Sequence, residues 1–215
     1  MSDGFNDLVV RAQAFFTDLK AHNMREWFAE RKDFYNNDIR APGMLFSEIM
    51  AEEISRITGT GHTPKVYRIY RDVRVSKDRS PFNPWLHMMW SAQGMADDRP
   101  WFFFGIDHDE VFLASGVLGL QKDGLTRYRA FVDRHGDDLT DVIEESGAEL
   151  VNYGPEPLKR VPKPYDPDHP HGDLLRRKGL ILQRKVNPTH TDGLVASVRQ
   201  ELKPLLPFHK MLSTF

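Results

Sequence analysis

The chain has 215 residues, no cysteine, a formal net charge of −2 and a hydrophobic fraction of 40% that includes 14 Phe and 4 Trp. These totals exclude disulfides, thiolate zinc sites and a cysteine nucleophile, and a pI near 6.5 argues against a general coat protein for duplex DNA. No apolar run approaches the roughly 20 residues that span a bilayer, and MSDGFNDLVV lacks the basic-then-apolar pattern of a secretory leader, so the expectation is a cytoplasmic protein with no membrane partner.

Residues 5 to 20 carry Phe5, Leu8, Val9, Ala12, Phe15, Phe16 and Leu19 at amphipathic-helix spacing. A second helix is predicted in HNMREWFAERKDFY, with Asn23 as N-cap, Glu26 in the capping-box place, and Trp27, Phe28 and Phe34 as aromatic bulk. Trp27 is read as core rather than as part of a site. Pro42 opens a third helix with a stripe of Phe46, Ile49, Met50, Ile54 and Ile57, and TGTGHTP ends the helical region. KVYRIYRDVRV reads as a strand, WLHMMWSA as another, and RPWFFFGID with EVFLASGVLG as a hairpin turning at Asp107, His108 and Asp109. The connections are too short for parallel crossovers, so the sheet is expected to be antiparallel.

DGLTRYRAFVDRH and DDLTDVIEES return to helical spacing. AELVNYG and LKRVP are predicted as a short hairpin, KPYDPDHPHG as a proline-rich loop and DLLRRKG as a helical turn capped by Asp173. LILQRKV is a late strand, and an interrupted helix is predicted over DGLVASVRQELKPLLPFHKML. The elements make an α+β fold with helices packed on a mostly antiparallel sheet. One domain is expected over residues 1–215, with N-terminal helices over about 5–57, a β-rich middle over about 65–118 and a mixed C-terminal part.

The charge distribution is more informative than its total. Lys65, Arg68, Arg71, Arg74, Lys77 and Arg79 face only Asp72 and Asp78, so this stretch carries a net +4 and the remainder −6. Strand alternation puts Tyr67, Ile69, Arg71, Val73 and Val75 on one face and Val66, Arg68, Tyr70, Asp72 and Arg74 on the other. The first face is apolar except for Arg71, which must meet a carboxylate (Asp18 and Glu26 are candidates) or line an inward cavity. The second displays charge. Read as a site, Arg68, Arg71, Asp72 and Arg74, with Ser76, Lys77 and Arg79 from the following loop, bind a small carboxylate- or phosphate-bearing anion. Read as structure, the same residues form a salt-laced strand with Asp72 and Arg74 paired on one face.

FFTDLKAHNMREWFAERKDFY, RIYRDVRVSKDRSPF and DPDHPHGDLLRRKG, in this order, resemble the signature stretches of the domain-of-unknown-function 2461 family over nearly the whole chain. Val75 stands where Phe is usual, Arg79 where Lys is common, and PFN replaces PYK, which removes one basic group from the site. The resemblance brings no activity with it. It does draw attention to the loop in which His169 and His171 lie among Asp166, Asp168 and Asp173. Metal sites use these residue types, but alternate loop positions need not converge, and no metal or cofactor is assigned. His169 is the candidate general acid or base, its unperturbed pKa being near 6.5.

Three functions therefore compete: binding of a small anionic ligand, with or without catalysis; binding of single-stranded nucleic acid or a nucleotide-like end, with Tyr70 as stacking platform; and a protein-interaction module built on an ion-pair network. The first is favoured, because little aromatic interleaving accompanies the basic stretch beyond Tyr70.

Overall fold

The computed structural model describes residues 4–74, 78–94, 99–188 and 192–215. The order is α1 (Asn6–Ala21), α2 (Arg25–Phe34), a π-helical turn (Tyr35–Arg40), α3 (Ala41–Thr58), β1 (His62–Val66), β2 (Trp85–Ala92), β3 (Trp101–Asp107) and β4 (Val111–Val117), then α4 (Lys122–Glu145), β5 (Glu149–Val151), α5 (Gly172–Arg176), β6 (Leu180–Lys185), α6 (Leu194–Leu202) and α7 (Leu206–Leu212). Among the described residues the strands form a six-stranded antiparallel sheet in the order β1-β2-β3-β4-β6-β5, and the class is α+β as predicted. No helix of the described residues is long and apolar enough to cross a membrane.

The chain groups into two compact units. The first comprises Met1–Gln93, Phe103–Leu113 and Lys185–Gln200, the second Gly94–Phe102, Ala114–Arg184 and Glu201–Phe215.

In the first unit the apolar stripes of α1 and α3 are buried as their spacing predicts, with Leu8, Val9, Ala12, Phe15, Phe16 and Leu19 on α1 and Phe46, Met50 and Ile54 on α3. Ile49 and Ile57 are only half-buried. Phe15 is the hub of an aromatic cluster, within 5.5 to 6.4 Å of Phe16, Trp27, Phe28, Phe34 and Tyr35. Each of its buried rings, Phe15, Phe16, Phe28 and Tyr35, contributes roughly 1.5–3 kcal/mol of burial. Trp27 is less enclosed than expected: it is half-buried, stacked on His22 and capped by the Arg31 guanidinium 4.4 Å from its ring. Pro42 lies in the first turn of α3 as predicted. Its missing N–H removes one helical hydrogen bond, and the helix widens just before it, the Ala41 N–H reaching back to the Asn36 carbonyl.

β1 and β2 pair in antiparallel register, His62 opposite Ala92 and Val66 opposite Met88. The strand predicted over KVYRIYRDVRV stops at Val66. Beyond it the register changes by two residues: the ladder that sets 66 against 88 would set Tyr70 against Pro84, whereas Tyr70 bridges Phe82. On β2 the burial alternates, with Leu86, Met88 and Trp90 buried and Trp85, His87 and Met89 half-buried. The Trp90 indole N–H closes on the Ser47 carbonyl at 2.8 Å.

In the second unit, the two helices expected after residue 122 are one helix, α4, kinked at His135 where φ is −130°. Tyr128 on α4 is buried and donates to the Leu174 carbonyl at 2.9 Å. The hairpin predicted between AELVNYG and LKRVP is not formed; β5 pairs with β6 instead, Glu149 opposite Gln183. Asp173 does not cap α5, which has no side-chain cap; its carboxylate pairs with Arg176 one turn on. On α7, His209 is buried, stacked on Phe102 at 4.0 Å and hydrogen-bonded to Ser115 at 2.9 Å.

Candidate functional site

The basic stretch leaves the sheet edge after β1 and folds back on itself before β2. Its neck is a short antiparallel contact in a register shifted from that of β1 and β2: Tyr70 bridges Phe82, the Arg71 N–H meets the Pro81 carbonyl at 2.9 Å and the Asn83 N–H meets the Ile69 carbonyl at 2.7 Å. Inward and outward positions still alternate here. Ile69 is buried and Arg71 faces inward with 16% of its side chain exposed, while Arg68 and Tyr70 face out.

Two side chains hold the neck. The Arg71 guanidinium donates to Asn83 Oδ1 at 3.0 Å and to the Phe82 carbonyl at 3.3 Å, and pairs with Asp78. Its carboxylate partner is thus local, neither Asp18 nor Glu26. Asn23 was expected to cap α2, but Met24 holds that position. The Asn23 amide spans Phe82 instead, accepting its N–H at 3.1 Å and donating to its carbonyl at 2.9 Å. A side chain 59 positions away from Phe82 thus satisfies a loop's backbone, and no local signal could have distinguished this from a cap.

Above the neck, Arg74 grips Asp72 with two prongs, Nε to Oδ1 at 2.9 Å and Nη2 to Oδ2 at 2.8 Å, with 85% of the arginine side chain exposed. Hydrogen bonds from the Arg74 side chain and backbone, aided by the nearby charge of Arg68, pull the Asp72 carboxyl down to about 2. Ser80, and after it Arg71, hold Asp78 below the usual carboxylate range. Arg79 donates to the Val73 carbonyl at 2.6 Å. Ser76 and Lys77 lie outside the described residues. The proposed ligands thus divide: Arg71, paired with Asp78, and Arg79 brace the loop, while Arg68, Asp72 and Arg74 gather at its exposed surface.

The π-helical turn borders this stretch. Tyr35 is buried and its hydroxyl is pushed up to about 12, mainly by burial, with Arg40 acting in the opposite sense and Tyr70 reinforcing it. Tyr70 itself is 49% exposed and packs edge-on against Phe28 at 6.0 Å and beside Phe82 at 5.5 Å. Arg40 and Tyr35 had not been singled out, because a π turn has no spacing signature of its own.

The outward face of the sheet in this unit was also missed as a site. Tyr67, Trp85, His87 and Phe103 meet there, and the His87 Nε2 lies 2.6 Å from Asp107 Oδ1. Alternation in WLHMMWSA was the available signal, since it sets His87 opposite to Leu86, Met88 and Trp90.

His169, the candidate acid or base, belongs to the second unit. Its Nε2 lies 3.2 Å from Asp133, and its Nδ1 accepts the His171 backbone N–H at 3.0 Å. An Nδ1 that accepts fixes the neutral ring as the Nε2–H tautomer, with that proton directed at Asp133. Both nitrogens are therefore engaged. His171 meets Asp137 at 3.1 Å, so consecutive alternate histidines clip the proline-rich loop to two aspartates one turn apart on α4. His171 also lines a cleft of about 400 Å³ with Asp137, Asp141, Glu144 and Asp173 over Ile143, Leu150 and Leu174. No group of three or more His, Asp or Glu side chains among the described residues converges in a way that could hold a metal ion.

The fold and this geometry define an α+β protein with a braced, arginine-rich excursion at a sheet edge. The family model described as "Conserved hypothetical protein (DUF2461)" matches residues 11–211, and the chain belongs to that family. Among the curated proteins nothing matches the chain.

Proposed function

We propose that the first unit binds a small anion, carrying a phosphate or carboxylate, at the exposed surface of the basic excursion, with Arg68 and Arg74 as its contacts. The observation that carries this reading is the bidentate Arg74–Asp72 pair. Asp72 presents a carboxylate to a guanidinium in the geometry that a ligand anion would use. The pair is exposed, so it contributes little to stability and can open at small cost. Arg68 adds a second positive charge beside the same carboxylate. Asp72 thus stands in for the guest and competes with it.

Titration calorimetry with inorganic phosphate, citrate and ribose 5-phosphate at low and high salt tests this. Asp72→Asn is expected to strengthen anion binding several-fold, and Arg68→Ala with Arg74→Ala to abolish it with the melting temperature nearly unchanged. Unchanged binding in Asp72→Asn, or unfolding in Arg74→Ala, would leave the ion-pair network as the better account. The exposure of Tyr70 beside Arg68 favours the single-stranded nucleic acid as second reading. It requires affinity for oligonucleotides that grows with their length and falls steeply with salt.

A further inference from the structure

The outward face of β1, β2 and β3 in the first unit carries a second set of groups with a common chemistry. Tyr67 follows β1, and its N–H meets the His87 carbonyl at 2.9 Å, so its ring shares a face with His87 and Met89. Tyr67 lies edge-on to Trp85 at 6.4 Å and 6.0 Å from Phe103. The His87 imidazole lies flat on the Trp85 indole, 3.9 Å away and 9° from parallel, with Phe103 and Phe112 edge-on at 5.1 and 5.8 Å. Gly105 makes this possible, because a Cβ there would run into the Phe112 ring and crowd His87. The wall is thus built close to the sheet, and His87 keeps 16% of its side chain open to solvent.

The polar groups are oriented as well. A carboxylate can only accept, so Asp107 fixes the proton of neutral His87 on Nε2 and leaves the Nδ1 lone pair without a partner among the described residues. Lys65 is exposed on the same face, its ammonium 5.0 Å from the Tyr67 ring. Arg68 follows Tyr67 directly in the chain, about 3.8 Å on by Cα separation. Half-open aromatic rings, one oriented ring nitrogen and flanking cations together match a guest that is planar at one end and anionic at the other.

We propose that this face is a ring-binding site, and that the ligand is a mononucleotide whose base packs on Tyr67, Trp85 and Phe103 and hydrogen-bonds to His87 Nδ1. Its phosphate reaches Lys65 and the basic excursion; that half of the proposal rests on the anion reading above. The test compares the four common ribonucleoside 5′-monophosphates with ribose 5-phosphate and with the four nucleosides, by calorimetry on the full chain. At least one mononucleotide is expected to bind tenfold or more tightly than ribose 5-phosphate. Trp85→Leu and His87→Gln should each shrink that ratio while leaving the ribose 5-phosphate affinity unchanged, which also reports that the variant is folded. If ribose 5-phosphate binds and no mononucleotide exceeds it, the ring site is overturned and the anion site stands. Nucleoside binding that Trp85→Leu removes, without any binding of ribose 5-phosphate, supports the ring site and overturns the anion site. Silence from all three classes overturns both.

Discussion

Arg71→Met should loosen the neck of the basic excursion while leaving the rest of the first unit folded. Methionine keeps most of the aliphatic stem, so the change removes polar contacts more than packing. The lost contacts are the bonds to Asn83 Oδ1 and the Phe82 carbonyl and the pair with Asp78. Bonds that involve a charged group contribute about 1.5–3 kcal/mol each. The Phe82 carbonyl keeps its second donor, Asn23, which limits that loss, and Asp78 is exposed enough that its pairing adds only about 0–1 kcal/mol. A cost of about 2–4 kcal/mol follows, concentrated in opening the neck. Hydrogen exchange of the Arg71 and Asn83 amides reads it directly, since both amides bond across the neck. Their protection should fall roughly 30- to 700-fold, at 1.4 kcal/mol per decade, with amides of α1 and α4 unchanged. If protection of these two amides stays within about threefold of the parent, Arg71 does not brace the neck and becomes available as a ligand contact.

Asn23→Ala should cost about 1–3 kcal/mol, because it strips the acceptor from the Phe82 N–H and leaves the Phe82 carbonyl with Arg71 alone; a denaturant midpoint equal to that of the parent would contradict it. Gly136→Ala should destabilise although alanine is favoured in helices by about 1 kcal/mol, since its Cβ would collide with the His171 ring. Combined with His171→Ala the same change should become neutral or stabilising, which a urea titration of the four chains decides. Tyr35 gives a pH signature. Its pKa is raised from 10.0 to about 12, so its contribution is intact below pH 10 and is lost as pH rises towards 12, when the unfolded chain ionises first. The loss is about 2–3 kcal/mol. Tyr35→Phe should remove that part of the alkaline decline and leave stability at pH 7 nearly unaltered, as followed by denaturant midpoints at stepped pH.

The sequence by itself determined the apolar stripe of the N-terminal helix. The 3.6-residue stripe of α1 is set by backbone geometry, so Leu8, Phe15, Phe16 and Leu19 could be placed without any partner in view, whereas the alternation of β2 shows which residues share a face but not which face is covered. The concentration of arginine was equally legible, as was the division between an inward Arg71 and an outward Arg68. Only tertiary structure decided what those arginines do. A strand exists where a neighbour continues its ladder, and past Val66 the register shifts, Tyr70 bridging Phe82, so the basic segment became a looped excursion. The same holds for Asn23, whose sequence neighbours promise a cap but whose amide found the backbone N–H and carbonyl of Phe82. Hydrogen-bonding groups take whichever partner the packed chain brings near, and that choice is made across tens of residues, beyond the reach of local spacing.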